Sequence, residues 1–315
     1  METRKHEPSA ADAGGILDHQ RTAYERLLAV ANACFFTQRT TLPLRPRTNT
    51  LLVGPSGSGK TFLAGAVAKK LGVPFLSLTV GEWILLGCTQ RGAKTTWPLI
   101  VTFLQKHAQK DGVVLFLDEI DKIRGDSSWE TFLRTEIFRL LDLDLPEGLC
   151  DGDDDAMSDS DVNQAREVLA NRTFIIGAGA FQAIWENRSK VSIGFSGQSF
   201  SCPTVSLADL SAMLPRELTN RFRAEVLALP KLTADDYRRM ISQTAAQVPV
   251  YLRDTFLRLA NERIASAIEC QQGCRFLEEI MLDAIIHERE SIKNWKNPAE
   301  SPALMDQSPA QGPAP

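Results

Sequence analysis

Gly54-Pro55-Ser56-Gly57-Ser58-Gly59-Lys60-Thr61 is the stretch of this sequence that decides the fold. It matches the pattern G-x-x-x-x-G-K-[ST] of a phosphate-binding loop. An apolar run at 50–53 precedes it, and the Ala- and Leu-rich, proline-free run 62–71 follows it. These runs predict a strand before the loop and a helix after it, which is the context that the motif requires. The alternative is an ordinary glycine turn that happens to hold a lysine.

Each residue type in the stretch has a physical task. Glycines let the backbone curl, so that successive N–H groups point at phosphate oxygens, and the helix N-terminus adds partial positive charge. Residues 54–61 are therefore predicted to bind the phosphates of a nucleotide. We expect Lys60 to reach the β- and γ-phosphates, and the Thr61 hydroxyl to ligate Mg²⁺.

A second nucleotide-binding pattern lies downstream. The apolar run 113–117 ends directly in Asp118-Glu119. An unbroken apolar run suits a parallel strand buried on both faces, and the C-terminal ends of such strands border the ligand crevice. Asp118 is predicted to hold Mg²⁺, directly or through water. Glu119 is predicted to act as the general base that polarises the attacking water. The alternative is a core strand that ends at an ordinary acidic turn.

Composition narrows the class of protein. The chain has 315 residues, of which 43% are hydrophobic and 23% charged, with a net charge of −4. These values are typical of a soluble globular protein and argue against a dedicated nucleic-acid binder. No apolar run reaches the ~18–20 residues of a membrane span, and the polar start lacks a signal-peptide core. The six cysteines form no C-x-x-C pair, which favours free thiols and a cytoplasmic location.

Alternating strand and helix patterns over 50–230, followed by a helical block, predict a three-layer α/β nucleotide domain with a small α-helical lid. Nine Asp or Glu and no Lys or Arg fall within 142–161, which predicts a solvated acidic loop at about 146–165. The predicted divisions are a disordered segment at 1–15, the large α/β domain at 16–230, the lid at 231–295 and a disordered Pro-rich tail at 296–315. Individual predicted elements are helices at 16–37, 99–109, 130–145 and 209–222, and strands at 50–53, 75–78, 113–117, 173–176 and 226–229.

Four further motifs accompany the two nucleotide patterns. They are Ala180-Phe181, Ile193-Gly194-Phe195, Leu214-Pro215-Arg216-Glu217-Leu218-Thr219-Asn220-Arg221-Phe222 and Gly273-Cys274-Arg275-Phe276-Leu277. With these motifs the chain resembles an AAA+ ATPase, and within that group it is similar to the ClpX-type protein unfoldases over roughly residues 16–292. The resemblance implies a P-loop AAA+ nucleotide domain with a C-terminal helical lid, which uses ATP and Mg²⁺ to remodel a protein partner.

The resemblance also implies roles for single residues. Arg221 matches the arginine finger that reaches a neighbouring subunit's nucleotide, with Arg223 as the fallback. The alternative for Arg221 is an arginine of a surface salt bridge. Arg275 matches the sensor-2 arginine of the lid. A finger that acts between subunits implies a homo-oligomeric ring such as a hexamer. Ile193-Gly194-Phe195 resembles the tripeptide that docks onto a ClpP-like protease, and an ordinary turn is the alternative there.

Three departures put polypeptide threading in doubt but leave ATP binding untouched. Residues 87–90 lack the aromatic of the family's pore loop, and the segment 146–165 is acidic where the family has a basic pore region. The sensor-1 position, near Gly177-Ala178, lacks a polar side chain. Two alternative functions therefore stay open: a nucleotide-switched regulator or loader of a nucleic-acid enzyme, and a weakly hydrolysing ATP-binding scaffold. The acidic loop should attract a basic partner and repel nucleic acid.

Overall fold

The computed structural model describes residues 16–36, 43–44, 46–87, 96–123, 128–146, 158–185, 205–223 and 225–296. Several predictions fall outside these residues and are not tested by the structure. They concern the segment 1–15, the tail from residue 297, the pore-loop positions 88–90, the centre of the acidic run and the tripeptide Ile193-Gly194-Phe195.

The described elements alternate between helix and strand up to residue 228 and are helical after it. In chain order they are α1 (Asp18–Phe36), β1 (Thr50–Val53), α2 (Lys60–Leu71), β2 (Phe75–Thr79), α3 (Val80–Gly87), α4 (Thr96–Lys106), β3 (Val113–Asp118), α5 (Ser128–Leu141), α6 (Asp159–Arg172), β4 (Thr173–Gly179), α7 (Leu207–Ser211), α8 (Arg216–Thr219), β5 (Val226–Ala228), α9 (Ala234–Ala245), α10 (Val250–Glu269) and α11 (Arg275–Lys296). A 3₁₀ turn, Ile120–Lys122, follows β3.

In the described part of the chain, the strands form one five-stranded sheet in the order β2-β3-β4-β1-β5, and every neighbouring pair is parallel. Leu51 of β1 pairs with Gly177 of β4 on one side and with Val226 of β5 on the other. Because the strands are parallel, all their C-terminal ends lie at one edge of the sheet, where ligands bind in such folds. The residues that follow β1, β3 and β4 therefore meet at this edge.

Alternate residues of each strand enter hydrophobic clusters on opposite faces of the sheet. In β3, Leu115 and Leu117 belong to one cluster, whereas Val114 and Phe116 belong to the other. Apolar residues of α1 and α2 complete the second cluster, and those of α3 to α6 complete the first. This arrangement confirms the predicted three-layer α/β fold, because a sheet that is apolar on both faces needs helices on each side.

The helices α9 to α11 have a hydrophobic cluster of their own, which includes Tyr237, Phe256, Phe276 and Ile280. Leu17, just before α1, also belongs to this cluster. Thr233 caps α9 through reciprocal hydrogen bonds with Asp236, which fixes where the helical block begins. Among the described residues, no helix combines the length and the apolar composition that crossing a membrane requires.

The structure corrects the predicted elements at three places. The predicted helix 209–222 is divided into α7 and α8, because Pro215 has no N–H to continue a helix and instead caps α8. The segment 80–87 is helix α3 rather than an irregular apolar patch, and Thr79 and Glu82 form a capping box at its start. The predicted acidic loop 146–165 is too wide on its C-terminal side, because α6 begins at Asp159.

Candidate functional site

The backbone of the predicted phosphate-binding loop is curled by two left-handed glycines. Gly57 has φ of +76° and Gly59 has φ of +84°, a region that glycine adopts without steric cost. The Gly54 N–H donates to the Gly179 carbonyl at 3.2 Å, which ties the loop to the end of β4. The Ser58 N–H donates to Pro55 within the loop at 3.3 Å. Gly59 is also the residue that precedes α2, so the loop leads straight into a helix N-terminus.

The Lys60 side chain folds back over the loop. Its Nζ donates to the carbonyl oxygens of Gly54 at 2.8 Å and Pro55 at 3.0 Å. Burial lowers the pKa of Lys60, whereas the carboxylates of Asp118 and Asp121 act in the opposite direction and Arg275 lowers it further. A lysine held by neutral carbonyls in a partly buried cleft is a suitable partner for phosphate oxygens.

Thr61 and Asp118 lie side by side although 57 residues separate them in the sequence. The Thr61 hydroxyl donates to Asp118 Oδ2 at 2.9 Å. These two oxygen ligands fit Mg²⁺, which binds proteins through one or two oxygen side chains and keeps water and substrate phosphates as its other ligands. Among the described residues, no group of three or more His, Cys, Asp or Glu could hold a metal ion. The two oxygen ligands therefore fit an ion that a bound nucleotide also ligates.

Glu119 has an unusual backbone conformation. Its φ of 61° and ψ of 31° place it in the left-handed region, which costs free energy for a residue with a side chain. Its N–H donates to Asp118 Oδ1 at 2.8 Å. Left-handed residues other than glycine persist where the surrounding structure over-determines them, and they cluster at active sites. The turn directs the chain away from the strand immediately after Asp118.

These residues share one cleft of about 910 Å³. This volume falls within the range of about 300–1,000 Å³ that is typical of small-molecule sites. The residues of the nucleotide patterns that line it are Ser56, Gly57, Gly59, Lys60, Thr61, Asp118 and Glu119. The structure therefore brings the predicted phosphate loop and the predicted acidic pair together.

The helical block closes one side of the cleft by direct backbone contact. The Cys274 N–H donates to the Gly57 carbonyl at 2.8 Å. Gly273 has φ of +64°, and a Cβ there would lie 2.9 Å from the Gly57 Cα and closer still to its carbonyl oxygen. Arg275, two residues after Gly273, lines the cleft and donates from Nη1 to Ser56 Oγ at 3.2 Å. Only a glycine at 273 allows the two turns to approach this closely.

Tyr237 of α9 supports this turn from behind. Its hydroxyl accepts from the Gly273 N–H at 2.9 Å and donates to the Ala267 carbonyl at 3.1 Å. Burial raises the pKa of the neighbouring Cys274 thiol to about 11. The position of Arg275 is therefore set by a buried tyrosine, a left-handed glycine and the phosphate loop itself.

Helix α1 contacts the loop from the other side. The fully buried Gln20 donates from Nε2 to the Ser58 carbonyl at 2.9 Å and accepts from the Leu17 N–H at 3.2 Å. His19 Nε2 lies 3.4 Å from the same Ser58 oxygen, and burial lowers the pKa of this imidazole. Neither side chain could be predicted as part of the site from the sequence, because a polar residue within an amphipathic helix gives no sign that it contacts a loop about 40 positions away.

Arg221 does not line the cleft of its own chain. Its Nε donates to both carboxylate oxygens of Asp142, at 3.0 and 2.9 Å, and its Nη1 donates to the Glu217 carbonyl at 2.7 Å. The guanidinium also stacks 4.3 Å above the centre of the Phe138 ring. Arg223 pairs with Glu225 at 3.0 Å. Neither arginine borders the phosphate loop of its own chain.

The sequence model of the family described as "ATPase family associated with various cellular activities (AAA)" matches residues 50–142. These residues run from β1 to the end of α5 and carry both nucleotide patterns. Residues 50–142 are thus similar to an AAA ATPase.

Several known proteins are similar to this chain, and each of them aligns with only a limited stretch of it. The peroxisomal ATPase PEX1 of Cricetulus griseus is 35% identical over 113 residues, which cover 34% of this chain and 8% of the relative. The peroxisomal ATPase pex6 of Schizosaccharomyces pombe is 36% identical over 88 residues, or 27% of this chain and 9% of the relative. The ATP-dependent zinc metalloprotease FtsH of Lancefieldella parvula is 41% identical over 81 residues, or 25% of this chain and 12% of the relative. The chain thus matches about a tenth of the length of these relatives.

Proposed function

We propose that this chain binds ATP together with Mg²⁺ and hydrolyses it to ADP and phosphate. The observation that carries the proposal is the hydrogen bond between Thr61 and Asp118, in the cleft that also holds Lys60 and Glu119. This arrangement supplies a cation, an oxygen pair for a divalent ion and a carboxylate within one crevice. These are the parts that phosphoryl transfer requires from a P-loop protein.

Each residue of the cleft has a proposed role that follows from the chemistry of its side chain or backbone. The N–H groups of the loop and the Lys60 ammonium bind phosphate oxygens, and the ammonium exchanges the carbonyls of Gly54 and Pro55 for them. Thr61 and Asp118 would hold the Mg²⁺ ion, which would supply charge neutralisation for the phosphates. Glu119 orients a water molecule and accepts its proton as the oxygen attacks phosphorus.

Arg275 is proposed to contact the γ-phosphate from the helical lid. Its hydrogen bond to Ser56 and its place in the cleft wall support this role, because the guanidinium lies beside the phosphate loop. A planar guanidinium can bridge two phosphate oxygens as charge shifts between them. We propose in addition that the residues from 231 to 295 form a lid domain, and the separate hydrophobic cluster of α9 to α11 supports that division.

Arg221 is proposed to complete the site of a neighbouring subunit in a ring-shaped homo-oligomer. Its position outside its own cleft and its partly exposed side chain support this proposal. The ion pair with Asp142, the Glu217 carbonyl and the Phe138 ring fix the guanidinium at the surface in a single orientation. Pre-oriented charge is the form in which an arginine contributes most to a transition state.

The proposed use of the hydrolysis energy is to remodel a protein partner. The support is the match of residues 50–142 to the AAA ATPase family and the local similarity to the peroxisomal ATPases and the FtsH metalloprotease named above. The finer ClpX-type assignment, with a ClpP-like protease bound through Ile193-Gly194-Phe195, stays a prediction from the sequence motifs. A cytoplasmic location stays a prediction from composition.

The experiment that tests the proposal compares two isosteric Glu→Gln changes. Glu119→Gln should retain nucleotide binding and lose turnover, because the amide cannot accept a proton. Glu25→Gln changes an exposed carboxylate on α1 that does not line the cleft and serves as the matched control. Phosphate release is measured with Mg²⁺ and with excess EDTA, and nucleotide binding is measured with a fluorescent ATP analogue. Hydrolysis by Glu119→Gln at the rate of the control would contradict the assignment of the base.

One observation favours a second candidate, the weakly hydrolysing ATP-binding scaffold. At Gly177, where the resemblance expects a polar side chain, a Cβ would lie 2.7 Å from the Phe222 Cζ and closer still to the Ile120 side chain. No polar side chain fits beside the end of β4 at this position. If the chain is such a scaffold, the Glu25→Gln control should bind nucleotide tightly in the presence of Mg²⁺ and hydrolyse it very slowly. The experiment described above would reveal this outcome.

A further inference from the structure

Asp121 is a buried carboxylate in the cleft that the proposed chemistry does not use. It lies in the 3₁₀ turn that follows Glu119, and only 7% of the residue is exposed. A carboxylate removed from water needs hydrogen-bond donors or a cation near it. Asp121 lines the same cleft as Lys60 and Ala180, so its partners bear on the site.

The hydrogen-bond partner of Asp121 is the backbone at the end of β4. Its Oδ2 accepts from the Phe181 N–H at 3.2 Å. Its Oδ1 faces Gly179, where a Cβ would lie 2.9 Å from that oxygen. The carboxylate therefore occupies the space that a side chain at position 179 would need, and it bonds to the peptide that follows.

The same peptide unit is held from its other end. Trp185, which is 4% exposed, donates from Nε1 to the Ala180 carbonyl at 2.9 Å. The Ala180 carbonyl and the Phe181 N–H belong to one peptide bond, so both of its polar groups have side-chain partners. Phe181 has φ of +49°, a strained value for a residue with a side chain, and its ring is fully buried. Contacts on both sides keep this peptide in an orientation that the backbone alone disfavours.

Asp121 also acts on the cation of the cleft. Its negative charge, after that of Asp118, raises the pKa of Lys60 against the effect of burial, whereas Arg275 lowers it. Asp121 therefore acts on the Lys60 ammonium through its charge and on the Phe181 amide through a hydrogen bond.

We propose that Asp121 is a positioning residue, which fixes the Ala180–Phe181 peptide as the wall of the cleft during hydrolysis. The inference rests on the proposed ATPase function. Asp121 does not touch the reacting atoms. It acts through the peptide that it holds, and the hydrogen bond to Phe181 is its principal contribution. The Trp185 indole is the second support of the same peptide.

Three variants and one control separate this role from a general loss of stability. Asp121→Ala removes the acceptor, Asp121→Asn retains an oxygen acceptor without the charge, and Trp185→Phe removes the opposite support. Asp111→Ala is the control, because Asp111 is exposed at the N-terminal end of β3, away from the cleft. All are assayed as the full chain for kcat, for the Kd of a fluorescent ATP analogue and for the fraction of sites that bind it.

We expect Asp121→Ala to lower kcat, normalised to the number of sites that bind nucleotide, by about tenfold. This is the effect expected when the buried Phe181 N–H loses its acceptor. The Kd should change by less than about threefold, because phosphate binding depends on other groups. Asp121→Asn should restore kcat to within about threefold of the control, and Trp185→Phe should fall between them. Equal kcat for Asp121→Ala and the control, a parallel loss of affinity, or no rescue by Asp121→Asn would each overturn the proposal.

Hydrogen exchange provides a readout that does not depend on activity. The Phe181 amide should exchange about tenfold faster in Asp121→Ala and Trp185→Phe than in the control, and Asp121→Asn should protect it. Unchanged exchange would overturn the proposed contact even if the rates differ. Absence of hydrolysis by the control protein would instead refute the ATPase function, and the exchange data would then show whether Asp121 holds the peptide. If Asp121→Ala does not fold, Trp185→Phe and Asp121→Asn decide the question.

Discussion

The contact between the lid and the phosphate loop can be broken with a single methyl group at Gly273. A Cβ at this position would lie 2.9 Å from the Gly57 Cα and nearer to its carbonyl oxygen, so one of the two backbones must move. Gly72 is the matched control, since its φ of +67° is close to the +64° of Gly273 and a Cβ there meets nothing within 4 Å. Gly72→Ala thus reports the conformational cost alone, and Gly273→Ala reports that cost together with the clash.

The expected magnitudes follow from these two situations. Alanine in the left-handed region costs roughly 1–2 kcal/mol of the free energy of unfolding, and both variants bear this cost. In Gly273→Ala the displaced backbone also loses the hydrogen bond from the Cys274 N–H to Gly57 and the one from Arg275 to Ser56. A hydrogen bond from a charged donor contributes about 1.5–3 kcal/mol, which corresponds to a factor of about 10 to 100 in nucleotide affinity if Arg275 is displaced from the cleft.

Two measurements on the variants test this reasoning. Thermal unfolding should show both proteins destabilised, with the larger decrease in Tm for Gly273→Ala. Titration with a fluorescent ATP analogue should give a Kd near that of the unmodified chain for Gly72→Ala and a Kd raised by about one to two orders of magnitude for Gly273→Ala. Equal nucleotide affinity in the two variants would refute the argument that close docking at Gly57 places Arg275.

Four further outcomes are expected. Lys60→Ala should abolish binding of the ATP analogue, because the phosphates lose their cation; near-normal affinity would exclude Lys60 as their ligand. Arg221→Ala should bind ATP normally but hydrolyse it poorly, and mixing it with Lys60→Ala should restore part of the activity; no recovery in verified mixed oligomers would exclude a shared site. Because the pKa of Cys274 is raised to about 11, its thiol should be alkylated at pH 8 far more slowly than that of the exposed Cys270, as peptide mass spectrometry can measure. A poly-lysine-like peptide, but not single-stranded DNA, should stimulate hydrolysis at low salt; the reverse would favour a nucleic-acid partner.

The sequence predicted the nucleotide elements well because their signals are local. The loop at 54–61 has fixed spacing, and the apolar run at 113–117 is too long and unbroken to be anything but a buried element. The sheet order could not be predicted, because nothing in the composition of β1 indicates that β4 and β5 are its neighbours. The helix predicted at 209–222 failed at Pro215, where the apolar pattern continues but the backbone donor is missing.

The supporting residues of the site escaped prediction because they act through tertiary contacts. Gln20 and Gly273 reach the loop from opposite ends of the described chain, and neither belongs to a local pattern that specifies its partner. One feature of the sequence could have indicated Asp121, which is a third acidic residue two positions after Glu119. The burial of Asp121 and its hydrogen bond to Phe181 depend on the turn at Glu119. The left-handed backbone of Glu119 could not be predicted from the sequence.

The strand that leads into the phosphate loop also sets the order in which the protein can assemble during synthesis. β1 pairs with β4 on one side and with β5 on the other. Leu51 therefore cannot complete its pairing until first Gly177 and then Val226 have been synthesised. Pairings this distant in the chain are slow to form, and an unpaired strand is prone to aggregate. A nascent chain that ends before Val226 therefore leaves one edge of the buried strand β1 open, and chaperone binding should be strongest in that interval of translation.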